Sequence, residues 1–211
     1  MAEAGAWQQI REQGLLSTTA LLDRYGYGGK ERVSIESWPR PQIITIHDRI
    51  TGATAQVRDN KPLRLKFLEA CLTDMTVQQW CELLNRKVFF WVSQERLETL
   101  LSARAYGCRP HDVITIDTRA LVERDISKLT LAPINTGATL YPTATPRGSE
   151  TFIPIDDYPL TQYKRWRGSR DAIVELAADY EVQHIEDISV RVERRLRDTT
   201  VDVLWQAATE Q

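Results

Sequence analysis

Apolar and polar residues alternate in "RDAIVELAADYEV" (170–182), which places Ala172, Val174, Leu176 and Ala178 on one face of a predicted strand. Ile173, Glu175, Ala177 and Asp179 fall on the other. Upstream the period changes. "AEAGAWQQIREQG" has helical spacing through Ala4, Trp7 and Ile10, with Gly14 as its C-cap, and "LLSTTALLDRYG" predicts a second helix capped by Ser17 or Thr18. "GYGGKERVSIESWPRP" is punctuated by Gly and Pro and predicts a loop. "QIITIHDRITGATAQV" reads as two strands around a Thr-Gly turn, and "LRLKFLEACL" as a helix. "TVQQWCELLN" is a helix opened by a Thr76-x-x-Gln79 capping box and closed at Asn85.

Strand and helix then succeed each other. "KVFFWVS" is a buried-strand run whose Ser93 caps "QERLETLLSARAYG"; "DVITIDT" follows, with Thr118 capping "RALVER". "SKLTLAPI", "SETFIPI", the 170–182 stretch and "HIEDISVRV" predict further strands, joined by loops at 133–150 and 157–169. Helices ahead of strands argue for an α+β fold around a mixed sheet, in a single domain over 1–211 without a linker.

Composition narrows the function classes. With 42% hydrophobic residues, 27% charged residues and a formal net charge of −2, the chain is globular and lacks the basic excess of a general nucleic-acid binder. Cys71, Cys81 and Cys108 form no Cys-x-x-Cys pair, which points to a reducing compartment, and His47, His111 and His184 have no metal-ligand spacing. The longest apolar run, "VFFWV", is too short to cross a bilayer, and "MAEAGAWQQIREQG" lacks the basic-then-apolar order of a signal peptide. A soluble cytoplasmic protein with no metal is expected.

Three features carry candidate chemistry. Glu175 lies between apolar neighbours, so it is either a solvated edge residue or a carboxylate at the floor of a cleft, since an unpaired buried charge is costly. "TQYKRWRGSR" (161–170) interleaves Lys164, Arg165, Arg167 and Arg170 with Tyr163 and Trp166, which suits phosphate contact with base stacking or else a solvated loop. The loop 133–152 gathers Asn135, Thr136, Gly137, Arg147 and Gly148 without a Walker or dinucleotide-binding pattern.

Several of these stretches carry a resemblance. "WQQIREQGLLSTTALLDRYG", "AQVRDNKPL", "LLNRKVFFWVSQERLETLLSARAY", "DVITIDTRALV", "LAPINTGAT", "PRGSETFIPIDDYP" and "AIVELAADYEV" together resemble a bacterial family of unknown function along nearly the whole chain. More distantly, "W-x-x-I-x-x-x-GLLS", "VFFWVS" and "VELAADYEV" are arranged as in the DarT-type ADP-ribosyltransferases. That resemblance implies the ADP-ribosyltransferase fold, a split mixed or antiparallel sheet with N-terminal helices that grips NAD as co-substrate. It implies Glu175 as the catalytic carboxylate, with Arg58 on the pyrophosphate or target group. Gly14, Leu15 and Ser17 would meet the nicotinamide side, Arg147 the cofactor, and Arg165, Trp166 and Arg167 a nucleic-acid or protein acceptor. Such enzymes carry a Tyr-His or similar pair on a short strand just before the first helix, whereas the first histidine here is His47, so either that strand lies upstream of Met1 or the NAD grip is degraded. This departure supports a second reading, a non-catalytic binding or regulatory module with a degraded NAD site.

Overall fold

The computed structural model describes residues 1–208. Its architecture is mixed α+β with antiparallel sheets, and the chain divides into two compact units. The chain passes from one unit to the other after Leu15, Phe90, Ser127 and Glu181. Two two-residue strands, β2 (Leu15–Leu16) and β10 (Glu181–Val182), lie at the first and last of these passages. No helix among the described residues is long and apolar enough to cross a membrane.

The first unit is built on an antiparallel sheet ordered β1 (Ala2–Glu3), β6 (His111–Ile116), β11 (Ser189–Leu196) and β12 (Thr199–Gln206). Helices α1 (Trp7–Gln13), α6 (Gln94–Ser102), α7 (Thr118–Asp125) and α9 (Ile185–Ile188) belong to it. Asp112 on β6 is fully buried and ties the sheet to the start of the chain. Its carboxylate accepts from the Gly5 amide (2.8 Å), the Trp7 amide (3.3 Å) and Arg194 Nε (2.9 Å), so the buried charge is paired and hydrogen-bonded. Gly14 ends α1 at φ 83°, and a Cβ there would stand 3.0 Å from the Val182 carbonyl; both facts call for glycine.

The second unit contains α2 (Thr18–Arg24), α3 (Gly29–Glu36), the hairpin of β3 (Ile44–His47) and β4 (Thr54–Val57), α4 (Leu65–Cys71) and α5 (Val77–Asn85). Its larger sheet is ordered β5 (Lys87–Trp91), β9 (Glu175–Asp179), β7 (Leu129–Ala132) and β8 (Ile153–Pro154), and α8 (Leu160–Arg167) also lies in this unit. The predicted capping box forms on α5: the Gln79 amide donates to Thr76 Oγ1 (3.2 Å), and the Thr76 amide to Gln79 Oε1 (2.8 Å). The apolar face of α5 brings Trp80 and Leu84 into one cluster with Leu63, Leu68, Phe152, Ala132 and Ala177. The small side chains at Ala132 and Ala177 leave room for the Trp80 ring, which stacks on Phe152 at 6.0 Å.

Several local expectations are corrected, among them a strand throughout "HIEDISVRV", where Ile185–Ile188 form α9 and only Ser189 onward is strand. Residues 29–36, expected as loop, form α3, a helix without a strong apolar stripe; its Arg32 pairs with Glu36 one turn on (2.6 Å). The expected 157–169 loop contains α8, whose last turn carries Lys164, Arg165 and Arg167 beside the negative end of the helix dipole. The cap of α7 is Asp117 rather than Thr118, with its carboxylate accepting from the Arg119 and Ala120 amides. Ser93 does precede α6, but its side chain makes no capping bond.

Candidate functional site

Glu175 is the first residue of β9, which lies between β5 and β7. It is 6% exposed and shares a strand face with Ala177, so it is not a solvated edge residue. Ala132 stands opposite it in the ladder, and the Val174 amide donates to the Ala132 carbonyl at 2.9 Å. Beyond Ala132 the chain leaves β7 and turns through Asn135 and Thr136. Thr136 then faces Glu175, and its amide (3.2 Å) and hydroxyl (2.6 Å) both donate to Glu175 Oε2. The carboxylate is thereby oriented by two donors from one buried residue.

Arg147 supplies positive charge to the same cluster and is 4% exposed. Its guanidinium donates to the carbonyls of Thr136 (3.0 Å), Asn135 (3.4 Å) and Thr145 (3.2 Å), and lies 5.9 Å from the Trp80 ring centroid. Burial holds its pKa below the ordinary arginine value, an effect opposed by the Cys71 thiol and the Glu175 carboxylate. Its backbone is held as firmly: the amide donates to the Cys71 carbonyl (2.9 Å), and its carbonyl accepts from the Thr73 amide (3.0 Å). Arg147 thus draws the 135–136 carbonyls together while Thr136 addresses Glu175.

Helix α8 is fastened to the same turn. The Arg167 guanidinium donates to the Pro133 carbonyl, and Tyr163 stacks on Tyr158 at 5.1 Å with Trp166 edge-on to it at 6.0 Å. Tyr158 is buried; its hydroxyl donates to the Ala172 carbonyl, and burial pushes its pKa up to about 12. Arg165 is exposed, and Trp166 is 65% exposed.

The other predicted residues have separate settings. Arg58 follows β4, and its carbonyl accepts from the buried Arg40 (2.8 Å). Ser17 is buried; its hydroxyl oxygen caps α2 by accepting from the Ala20 amide (3.1 Å). Gly14 and Leu15 belong to the first unit. The structure therefore joins Glu175 to Arg147 through Thr136, with the guanidinium charge acting on the carboxylate through space, and to Arg167 through the 133–136 turn. Thr73, Asp74 and Trp80 were not singled out in the sequence, and they complete the surroundings of Arg147.

A depression of about 350 Å³ opens at the other end of β9, lined by Arg86, Lys128, Asp179, Tyr180 and Glu181. Four residue steps separate Asp179 from Glu175, about 13 Å of extended strand. Tyr180 adopts φ 67°, an uncommon conformation for a bulky residue, with its amide donating to the Arg86 carbonyl (2.7 Å) and its hydroxyl to Asp23 (2.8 Å).

Among protein-family models, one for a family of unknown function (DUF7002) matches residues 1–189. No curated protein and no solved structure matches the chain.

Proposed function

Since the chain belongs to DUF7002, a family of unknown function, its activity must be argued from its own residues, and we propose that it is an NAD-dependent ADP-ribosyltransferase with Glu175 as the catalytic carboxylate. The observation that carries this reading is the place of Glu175. It heads an interior strand of the four-stranded sheet, its carboxylate is oriented by Thr136, and the Arg147 charge acts on it through space. Cleavage of the nicotinamide–ribose bond passes through an oxocarbenium-like state. A fixed carboxylate in a water-poor setting stabilises such a cation more than it stabilises the neutral ribose, and this difference lowers the barrier. Arg165 and Trp166, exposed on α8, are assigned to a nucleic-acid acceptor through phosphate pairing and base stacking. Arg167 is assigned to holding α8 on the turn.

A second reading is favoured by one specific observation: at 6% exposure, with two donors on Oε2, Glu175 also suits a fastener of the 133–136 turn in a non-catalytic binding module. One variant separates the two. Under the enzyme reading, wild type binds NAD in calorimetry and consumes it, while Glu175→Gln folds yet loses activity by about a hundredfold or more, about 2.7 kcal/mol of transition-state stabilisation. A wild type that neither binds nor consumes millimolar NAD, paired with a Glu175→Gln variant that only loses melting temperature, would establish the fastener instead.

A further inference from the structure

The turn between α4 and α5 meets the 147–149 segment in a tight polar clasp. Asp74 Oδ1 accepts from the Ser149 amide at 3.0 Å, and Asp74 Oδ2 accepts from the Ser149 hydroxyl. The Thr73 hydroxyl donates to the Arg147 carbonyl (3.2 Å), and the Gly148 amide donates to Thr151 Oγ1 (2.9 Å). Between these contacts lies Gly148, in an extended conformation open to any residue. What favours glycine is the space: a Cβ there would come 1.9 Å from Asp74 Oδ1 and 2.4 Å from Thr73 Oγ1, side-chain ends that would have to turn aside. Asp74 thus occupies the volume that a side chain at 148 would fill.

We propose that Asp74 is a positioning residue for Glu175, acting through Ser149, Arg147 and Thr136. This rests on the reading of Glu175 as the catalytic carboxylate. Each link is a contact already described. Asp74 fixes the residue two positions after Arg147, and Cys71 and Thr73 fix the Arg147 backbone. The immobilised guanidinium then holds the Thr136 carbonyl, and the other side of Thr136 donates twice to Glu175. Asp74 itself is exposed and belongs to no core cluster, so its removal tests this chain of contacts without opening a cavity. The Ser149 hydroxyl and amide hold its carboxyl below the usual carboxylate value, consistent with acceptor bonds made by the charged form.

The Thr136 amide is the reporter, because its proton points at Glu175. In the full chain labelled with nitrogen-15, Asp74→Ala is expected to displace the Thr136 cross-peak and speed its hydrogen exchange at least about tenfold, while amides of the β3–β4 hairpin keep wild-type rates. Gly148→Ala, which expels the same carboxylate sterically, should displace the same peak. Asp74→Asn, which retains one acceptor oxygen, should lie between Asp74→Ala and wild type. An unmoved Thr136 peak in folded Asp74→Ala and Gly148→Ala would overturn the proposal. If wild type consumes NAD, Asp74→Ala should lower kcat about tenfold with KM within about twofold, the pattern of lost transition-state positioning; unchanged kcat overturns the proposal. If wild type consumes none, the enzyme reading fails, and with it the role of Asp74 in catalysis, while the Thr136 peak still decides whether the clasp reaches Glu175.

Discussion

Replacing Arg147 by Met is the sharpest test of how the Glu175 cluster is held. Met retains a long apolar stem to lie along Trp80 but removes the guanidinium and its hydrogen bonds to the Thr136, Asn135 and Thr145 carbonyls. A hydrogen bond to a charged group is worth about 1.5–3 kcal/mol, and a cation over an aromatic ring about 1 kcal/mol when partly desolvated. Against these losses stands the desolvation of a cation that is 4% exposed, which the variant no longer bears. Glu175 also loses a positive charge that acts on it through space, a modest addition to these losses. Relief of that desolvation offsets much of these losses, leaving a net destabilisation of about 3 kcal/mol, the upper part of the usual range for a single substitution. With a urea dependence of about 2–3 kcal/mol per molar, the unfolding midpoint followed by circular dichroism should fall by about 1–1.5 M. Arg147→Lys should recover part of this, since an ammonium restores charge but not the planar fork that reaches several carbonyls at once. The double variant with Glu175→Gln isolates the electrostatic part: the two losses should fall short of additivity by about 1 kcal/mol or more. A midpoint within about 0.2 M of wild type for Arg147→Met, or strictly additive losses, would refute the account.

Other expectations concern the strands around Glu175. Lys87 on β5 has a side chain 4% exposed, with its ammonium 2.7 Å from Asp179 and 4.7 Å from the Phe152 ring centroid. Asp179→Asn removes the anion from a buried cation and should cost about 2 kcal/mol in urea unfolding, reduced from the fully buried case because Asp179 is partly solvated; Lys87→Met should cost less than about 1 kcal/mol. A larger loss for Lys87→Met than for Asp179→Asn would contradict this. Tyr158 is expected to ionise near pH 12 rather than 10 in an ultraviolet titration, a transition absent in Tyr158→Phe. Because burial raises its folded pKa, the stability linked to its protonated form is complete below pH 10 and falls as pH rises through 12. Equal loss of stability over that window in wild type and Tyr158→Phe would remove Tyr158 as the cause.

How much of this molecule was legible in its sequence depended on the range of the interaction. The α5 capping box, the Ser17 cap of α2, the glycine ending α1 and the β3–β4 hairpin are set by residues within a few positions of one another, and there the pattern and the fold agree. Of the strand announced by alternation over 170–182, Glu175–Asp179 and Glu181–Val182 form, and β5 and β7 lie in the announced apolar runs. Helices α3 and α8 were misread as loops because neither has a side-chain cap, and their charged residues obscure any apolar stripe. The helical state of α8 is instead supported by contacts outside its own span, Tyr163 against Tyr158 and Arg167 on Pro133.

The environment of Glu175 was decided by tertiary structure alone. Alternation places its side chain on a face but cannot say whether that face is covered, and here Trp80 and Arg147 lie over it. Its donor Thr136 is 39 residues away in the chain, and the Asp74–Ser149 contact spans 75. Nothing periodic links such positions, because each pair meets only after β7 and β9 have paired and α5 has packed on the sheet. What the sequence determined by itself was that a carboxylate would stand in an apolar strand. Only the tertiary structure supplied the donors and the counter-charge that make a buried carboxylate tolerable, since desolvation of a charge is offset by partners in space, whatever their distance along the chain.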